Sequence, residues 1–199
     1  MSTARAIRRY RPDPVPDDVL RRCLEAATWA PSGGNRQAWR FVVLRSPEVR
    51  AVLGPAYRKG WAEMSGGYGI EGDIDPSDDS PVARMGRTMQ RFVDAFEDVP
   101  VYVLFCLKGR GRTHLSEGAS IYPALQNFIL AARAEGLGTV VTSWFLIAED
   151  ELRQVIGIPD DWLLAALLPI GYPVGRHGPV RRRPVEEVTY RDRWDTPFP

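Results

Sequence analysis

Two short apolar runs without a charged residue, Val99–Leu107 and Leu163–Gly171, constrain this chain more than any other feature. Each is too continuous to be a half-exposed strand, which would alternate polar and apolar residues, and each reads as a strand buried on both faces. Such strands need helices above and below them. After Pro16-Asp17-Asp18, Val19, Leu20, Cys23, Ala26, Ala27 and Ala30 recur at helical spacing, and Pro31 ends the helix by pushing its predecessor out of helical dihedrals. Further helices are expected from Ser46-Pro47-Glu48 to about Tyr57, over Val82–Asp98, over Leu115–Glu135 with Gly136 as stop, and over Ala148–Ile156. Trp39–Leu44 and Thr139–Ser143 read as additional strands. The expected class is mixed α and β, with a central sheet and helices on its faces.

The 199 residues suit one domain over the whole chain, 1–199, on a prior of about 150 residues per domain. The longest uncharged apolar stretch, Leu163–Pro173, is too short for a bilayer, which needs ~20 residues. Met1–Arg9 carries three Arg and no apolar core, unlike a secretory signal, so the expected place is the cytoplasm and no membrane partner is expected. With two His (His114 and His177) and two Cys (Cys23 and Cys106) in no metal-binding spacing, zinc catalysis and Cys or Ser triads have little to build with. No metal is expected. An enzyme of this composition would have to leave its hard chemistry to a cofactor.

Gly67-x-Gly69-x-x-Gly72 has the spacing of a dinucleotide fingerprint. That fingerprint needs a strand before it and a helix opening within it. Here it lies in an acidic stretch, where Glu71 and Asp73 repel phosphate, and it reads as a chance match. Gly109-Arg110-Gly111-Arg112 reads as a turn. Residues 66–81 read as a flexible, lid-like excursion, and the tail from about 178 as polar and extended. Ser32-Gly33-Gly34-Asn35 stands between a helix end and a strand start. It offers backbone N–H and C=O groups to a planar polar ligand, or is an ordinary connection. Basic residues gather at both ends: Arg5, Arg8 and Arg9, then Arg181, Arg182 and Arg183. Solvated tails, a nucleic-acid surface, or two ends converging on one phosphate would each explain them. A net charge of +1 argues against nucleic acid.

Taken in order, several segments resemble the FMN-dependent nitroreductase family. They are Arg5–Tyr10, Pro12-Asp13-Pro14-Val15-Pro16, Ala30–Trp39, Leu125-Gln126-Asn127-Phe128 through Gly136-Leu137-Gly138, Gly171-Tyr172-Pro173, and Arg182-Arg183-Pro184-Val185-Glu186-Glu187-Val188. The resemblance implies a mostly antiparallel sheet flanked by helices in an FMN-binding fold. It also implies a homodimer with FMN at the interface, NAD(P)H as reductant and a small-molecule substrate. By position, Arg5 and Arg182, with Arg181 and Arg183 as neighbours, would hold the FMN phosphate, and Arg9 or Arg181 would compensate for contacts missing at Ala4 and Ala6. Arg8 would lie at the pyrimidine edge. Ser32, Gly33, Gly34 and Asn35 would reach the flavin from the partner subunit. Thr142, Ser143 and Trp144 would face the ring. The chain departs from the pattern at Ala4, Ala6 and Ala38, where the family has Arg, Ser and Pro.

No catalytic side chain is expected, because the cofactor carries the hydride. Arg8 and Ser143, or Thr142 in its place, would tune it, by charge at the pyrimidine edge and by a hydrogen bond near N5. The implied activity is NAD(P)H-driven, ping-pong reduction of nitroaromatic, quinone or similar conjugated acceptors. Specialised chemistry on the same fold (dehalogenation, flavin fragmentation, metabolite dehydrogenation) and a non-catalytic flavin module are the alternatives.

Overall fold

The computed structural model describes residues 1–70, 72–109 and 115–198, with residue 115 described in its backbone alone. Glu71, His114 and most of the Gly109–Arg112 turn lie outside the described residues. Among the described residues four strands form the sheet: β1 (Trp39–Leu44), β2 (Val101–Lys108), β3 (Gly138–Thr139) and β4 (Trp162–Gly171). Their spatial order is β1-β2-β4-β3, with every pairing antiparallel. The helices are α1 (Asp17–Thr28), α2 (Pro47–Met64), α3 (Pro81–Asp94), α4 (Tyr122–Ala134) and α5 (Glu149–Ile156).

The two apolar runs become β2 and β4, paired at the centre of the sheet. Val101, Val103, Phe105 and Leu107 point into a core closed by α1 and α4. Tyr102, Leu104 and Cys106 point into the opposite core, with Leu53, Tyr57 and Phe92 of α2 and α3 and Leu152 of α5. A register shift at Phe105/Cys106 leaves Ala165 of β4 without an opposite residue. The parity of β4 therefore changes there. Leu164 and Leu167 face the second core, while Ala166, Leu168 and Ile170 face the first.

Several boundaries differ from the sequence reading. α2 continues past Tyr57 to Met64, through Pro55, because Leu53, Tyr57, Gly60 and Trp61 bury one helical stripe. Gly60 lets that stripe approach the neighbouring turn, since a Cβ there would stand 2.9 Å from Trp144 and Ile147 side-chain atoms. Leu115–Ser120 is a 3-10 turn, and α4 starts only at Tyr122 with Pro123 in its first turn. The expected strand Thr139–Ser143 shrinks to Gly138–Thr139 plus a single bridge from Thr142 to Leu167.

The N-terminal arm continues the sheet beyond β3. Ile7 N–H donates to Thr139 O at 2.9 Å, Arg11 N–H to Tyr172 O at 2.8 Å, and Val174 N–H to Arg9 O at 3.0 Å. Val180 N–H then donates to Ser2 O at 2.8 Å, so the two ends of the chain meet. Gly138 is what admits the arm, because a Cβ there would lie 2.7–2.9 Å from three side-chain atoms of Ile7. Gly138→Ala is expected to destabilise the fold by about 1–3 kcal/mol through this overpacking. Urea unfolding checks it, and an unchanged midpoint would contradict the close approach.

Cys23 and Cys106 lie in the two opposite cores, and burial pushes both thiols up to about 11. A thiol that ionises less readily in the fold than in the unfolded chain adds stability below its ordinary pKa of 9.0. That contribution disappears as pH rises through about 11. Both thiols should therefore resist a chromogenic disulfide reagent at neutral pH until the protein is unfolded. The denaturation midpoint should fall between pH 9 and 11. Fast native labelling would show that the thiols are accessible.

Candidate functional site

The arm, the residues after β3, and helices α2 and α3 enclose a hollow of about 160 Å³. Arg8 reaches it from the arm, and Thr142, Ser143 and Trp144 from the chain after β3. The sequence reading named these four together, and the fold brings them together. Tyr57, Tyr68, Met89 and Phe92 also line the hollow and escaped that reading. Tyr68 falls in the expected lid-like excursion, and Tyr57, Met89 and Phe92 in expected helices, but none was singled out as a site residue.

Tyr57 is fully buried and packed against Phe92, Phe96 and Trp144. Its hydroxyl is hydrogen-bonded to Thr142 Oγ1, while Thr142 Oγ1 donates to Leu167 O at 3.3 Å. With the Thr142 proton on Leu167, Tyr57 is the donor to Thr142. Burial raises the Tyr57 pKa well above its ordinary value, which keeps the hydroxyl neutral. Thr142 is thus committed to the scaffold. Ser143 is exposed, and its hydroxyl has no partner among the described residues. Tyr57→Phe should destabilise by about 1–2 kcal/mol, since it leaves Thr142 Oγ1 short of a partner. Chemical denaturation checks this, and a neutral result would break the chain of bonds described.

Beneath Arg8, Tyr10 donates to Ile7 O at 2.5 Å and to Pro169 O at 3.2 Å. Burial raises its pKa, and the Arg8 charge pulls it partly back. Arg9 does not line the Arg8 hollow but a neighbouring one, with Arg91. Arg5, Arg181 and Arg182 lie on the two chain ends that meet at Ser2 and Val180. Arg5 and Arg181 have no ion-pair or side-chain hydrogen-bond partner among the described residues, and Arg182 contacts only Arg181 O at 2.8 Å. Close to the same junction, the buried Nε2 of His177 has no hydrogen-bond partner among the described residues, while Arg133 donates to His177 O at 3.4 Å.

Ser32–Asn35 lies elsewhere in the chain. Ser32 and Gly33 border a separate hollow of about 330 Å³, with Arg36, Lys108, Glu117 and Ser120. The loop has fewer open donors than expected. Gly33 N–H donates to Ser120 Oγ at 3.1 Å, Asn35 N–H to Ser32 O at 2.9 Å, and Gln37 N–H to Ser32 Oγ at 3.0 Å. Gly34, Asn35 and Gln37 all have positive φ, at 61°, 52° and 48°. Two non-glycine residues in that region mark a backbone whose shape its surroundings impose.

The acidic excursion lies against α3. Ile70 and Ile74 pack where Gly86 has no side chain, and Arg87 donates to Asp75 O at 3.0 Å and Asp78 O at 2.7 Å. Tyr68 stacks on Trp61 with centroids 6.3 Å apart, and Trp61 meets Trp144 at the same separation. The Gly67–Gly72 pattern begins inside a 3-10 turn that continues from a helix, where the fingerprint would need a preceding strand.

A model of the Nitroreductase family matches residues 1–172. The chain belongs to the nitroreductase family. The match ends before the basic run Arg181–Arg183, which therefore stands outside it. A protein named NADH dehydrogenase from Thermus thermophilus is 31% identical over 92% of this chain and 90% of its own length. 5,6-Dimethylbenzimidazole synthase of Rhodospirillum rubrum is 26% identical over 87% of this chain and 80% of its own. The fold matches a solved nitroreductase with bound FMN from Desulfitobacterium hafniense at a TM-score of 0.70, with 21% identity over 96% of this chain and 95% of that one.

Proposed function

We propose that this member of the nitroreductase family is an FMN-dependent oxidoreductase. It would use NAD(P)H to reduce nitroaromatic, quinone or similar conjugated acceptors. The observation that carries the reading is the convergence in one hollow of Arg8, unpaired among the described residues, the open Ser143 hydroxyl and the Trp144 ring. The donor set fits FMN. Aromatic walls suit a planar ring, and Arg8 suits the edge that becomes negative on reduction. The unpaired guanidiniums of Arg5 and Arg181, with Arg182 beside them, suit a phosphate. The orphaned His177 Nε2 adds a polar atom close to the same junction.

When bound, FMN supplies the hydride chemistry that this chain's side chains cannot. The chain's own residues bind and orient. Arg8 places fixed positive charge, Ser143 offers a hydroxyl, and Tyr57 and Thr142 hold the backbone that carries Ser143. Reductant and acceptor would take the same place in turn, with Tyr68 and the 66–81 excursion as the lid that shapes it.

A homodimer is part of the same proposal. The Arg8 hollow, at about 160 Å³, is below the roughly 300–1,000 Å³ of ligand sites, so one chain supplies half a site. The Ser32–Asn35 loop of a second copy would supply the opposing wall.

The decisive experiment is the visible spectrum of the purified protein, then anaerobic titration with NADPH and NADH. Bound FMN bleached by either supports the reading. Protein that takes up no FMN, or that is monomeric by light scattering, sinks it. Arg182→Ala should weaken FMN binding roughly tenfold or more, with little change in unfolding midpoint. Equal FMN retention would remove Arg182 from the site. Replacing residues 72–79 by a short Gly-Ser link should alter the acceptor profile more than the FMN content, and an unaltered profile would end the lid assignment.

A second reading, specialised flavin chemistry, is supported by the likeness to 5,6-dimethylbenzimidazole synthase. FMN that binds but is reduced by neither nicotinamide would favour it.

A further inference from the structure

Next to the Arg8 hollow lies another of about 260 Å³, between the arm and the C-terminal end of α3. Arg8 and Phe92 wall both hollows, so one residue layer separates them. Arg9 enters the second hollow from the arm and Arg91 from the last turn of α3. None of the three guanidiniums has an ion pair or a side-chain hydrogen bond among the described residues. Elsewhere some guanidiniums find carboxylates, as Arg22 does on Asp18 and Glu135 and Arg153 on Glu149, while others, such as Arg5 and Arg181, do not among the described residues; what sets these three apart is that they share one hollow.

Asp98 is the one carboxylate at the wall of this hollow. Tyr10, also there, adds no counter-charge, because burial keeps its hydroxyl neutral. The negative end of the α3 dipole accounts for Arg91 alone. It does not account for Arg8 and Arg9, brought against the same hollow by a different element. Like charges gathered in this way repel unless an anion joins them. A carboxylate is satisfied by one guanidinium fork, whereas phosphate oxygens can take several.

We propose that this hollow binds the phosphates of the dinucleotide reductant, beside the place where its nicotinamide end works. The assignment rests on the reading above that a nicotinamide dinucleotide is the reductant. It gives Arg8 two neighbours, the ring on one side and the reductant's anion on the other. Arg91, which does not line the ring hollow, becomes a determinant of reductant binding only.

The test uses the FMN-loaded protein and Arg91→Glu. KM is measured for NADPH, for NADH and for a phosphate-free N-alkyl dihydronicotinamide, at low salt, where surface charge is least screened. Arg91→Glu should raise the dinucleotide KM about tenfold and leave kcat/KM for the phosphate-free reductant within twofold. Inorganic pyrophosphate should compete with NADPH in the wild type and much less in the variant. Unchanged dinucleotide KM values, or equal losses with the phosphate-free reductant, would overturn the assignment. FMN content equal to wild type shows that the variant is folded, with Arg91→Gln as the milder substitution. If only the phosphate-free reductant bleaches the wild type, it is the dinucleotide reading that has failed. Calorimetric titration of pyrophosphate into the FMN-loaded protein then decides the anion site. Binding that Arg91→Glu abolishes keeps the site, and no binding to the wild type ends it.

Discussion

The antiparallel pairing of β2 with β4 is the constraint on which the rest depends. From Val101 to Leu107 every residue of β2 is buried, so both faces of the sheet must be covered. The parity of β2 assigns odd positions to the α1/α4 core and even positions to the α2/α3/α5 core. The shift at Phe105/Cys106 lets β4 serve both cores with a different parity on each side of Ala165. It also sets which residues of β4 face the site. Leu167, placed beyond the shift, accepts from Thr142 through both its N–H and its hydroxyl. The end of β4 then delivers Tyr172 and Val174 to the N-terminal arm.

The arm is positioned by backbone, not by its charges. Its hydrogen bonds to Thr139, Tyr172 and Val174 would form with almost any side chain at 6–11, whereas close approach over Gly138 would not survive a Cβ. A strand addition of this kind alternates its side chains. Ile7 goes into the core, and Arg8 turns to the hollow shared with Ser143. Arg9 is exposed and lines only the neighbouring hollow. Two adjacent arginines that look equivalent in a basic segment thereby acquire different surroundings.

β1, β2, β4 and α1 were legible to within a few residues because burial on one or two faces writes directly into apolar periodicity. The length of α2 was not. Its end was expected near Tyr57, and only the close approach of Gly60 to Trp144 and Ile147 explains a glycine inside the continuation to Met64. The brevity of β3 was hidden for the opposite reason. Thr139–Ser143 has strand composition, but Thr142 reaches β4 through one bridge while Ser143 begins a 3-10 turn. In the site, Arg8, Thr142, Ser143 and Trp144 were named from a family resemblance, not from periodicity. Tyr57, Tyr68, Met89 and Phe92 were not named, since aromatic and apolar residues on helices look like core until the sheet end they face is known.

Thr142 and Ser143 were equivalent in the sequence as hydroxyl donors at a strand end. Hydrogen-bond capacity separates them. A threonine hydroxyl has one proton, and that of Thr142 lies on Leu167 O, while Tyr57 occupies a lone pair. To turn toward a ligand it would have to abandon a buried carbonyl and leave Tyr57 unpaired, a loss of about 1–3 kcal/mol. Ser143 makes no such exchange, because its side chain stands outside the bonded series and its backbone carbonyl is held by Leu146 N–H at 3.0 Å. The fold spends one hydroxyl to fix the turn and leaves the next one free on it. A polar group that must meet a bound ring at a set position is better placed on such a turn than on a residue whose own hydroxyl is needed to hold the turn in place.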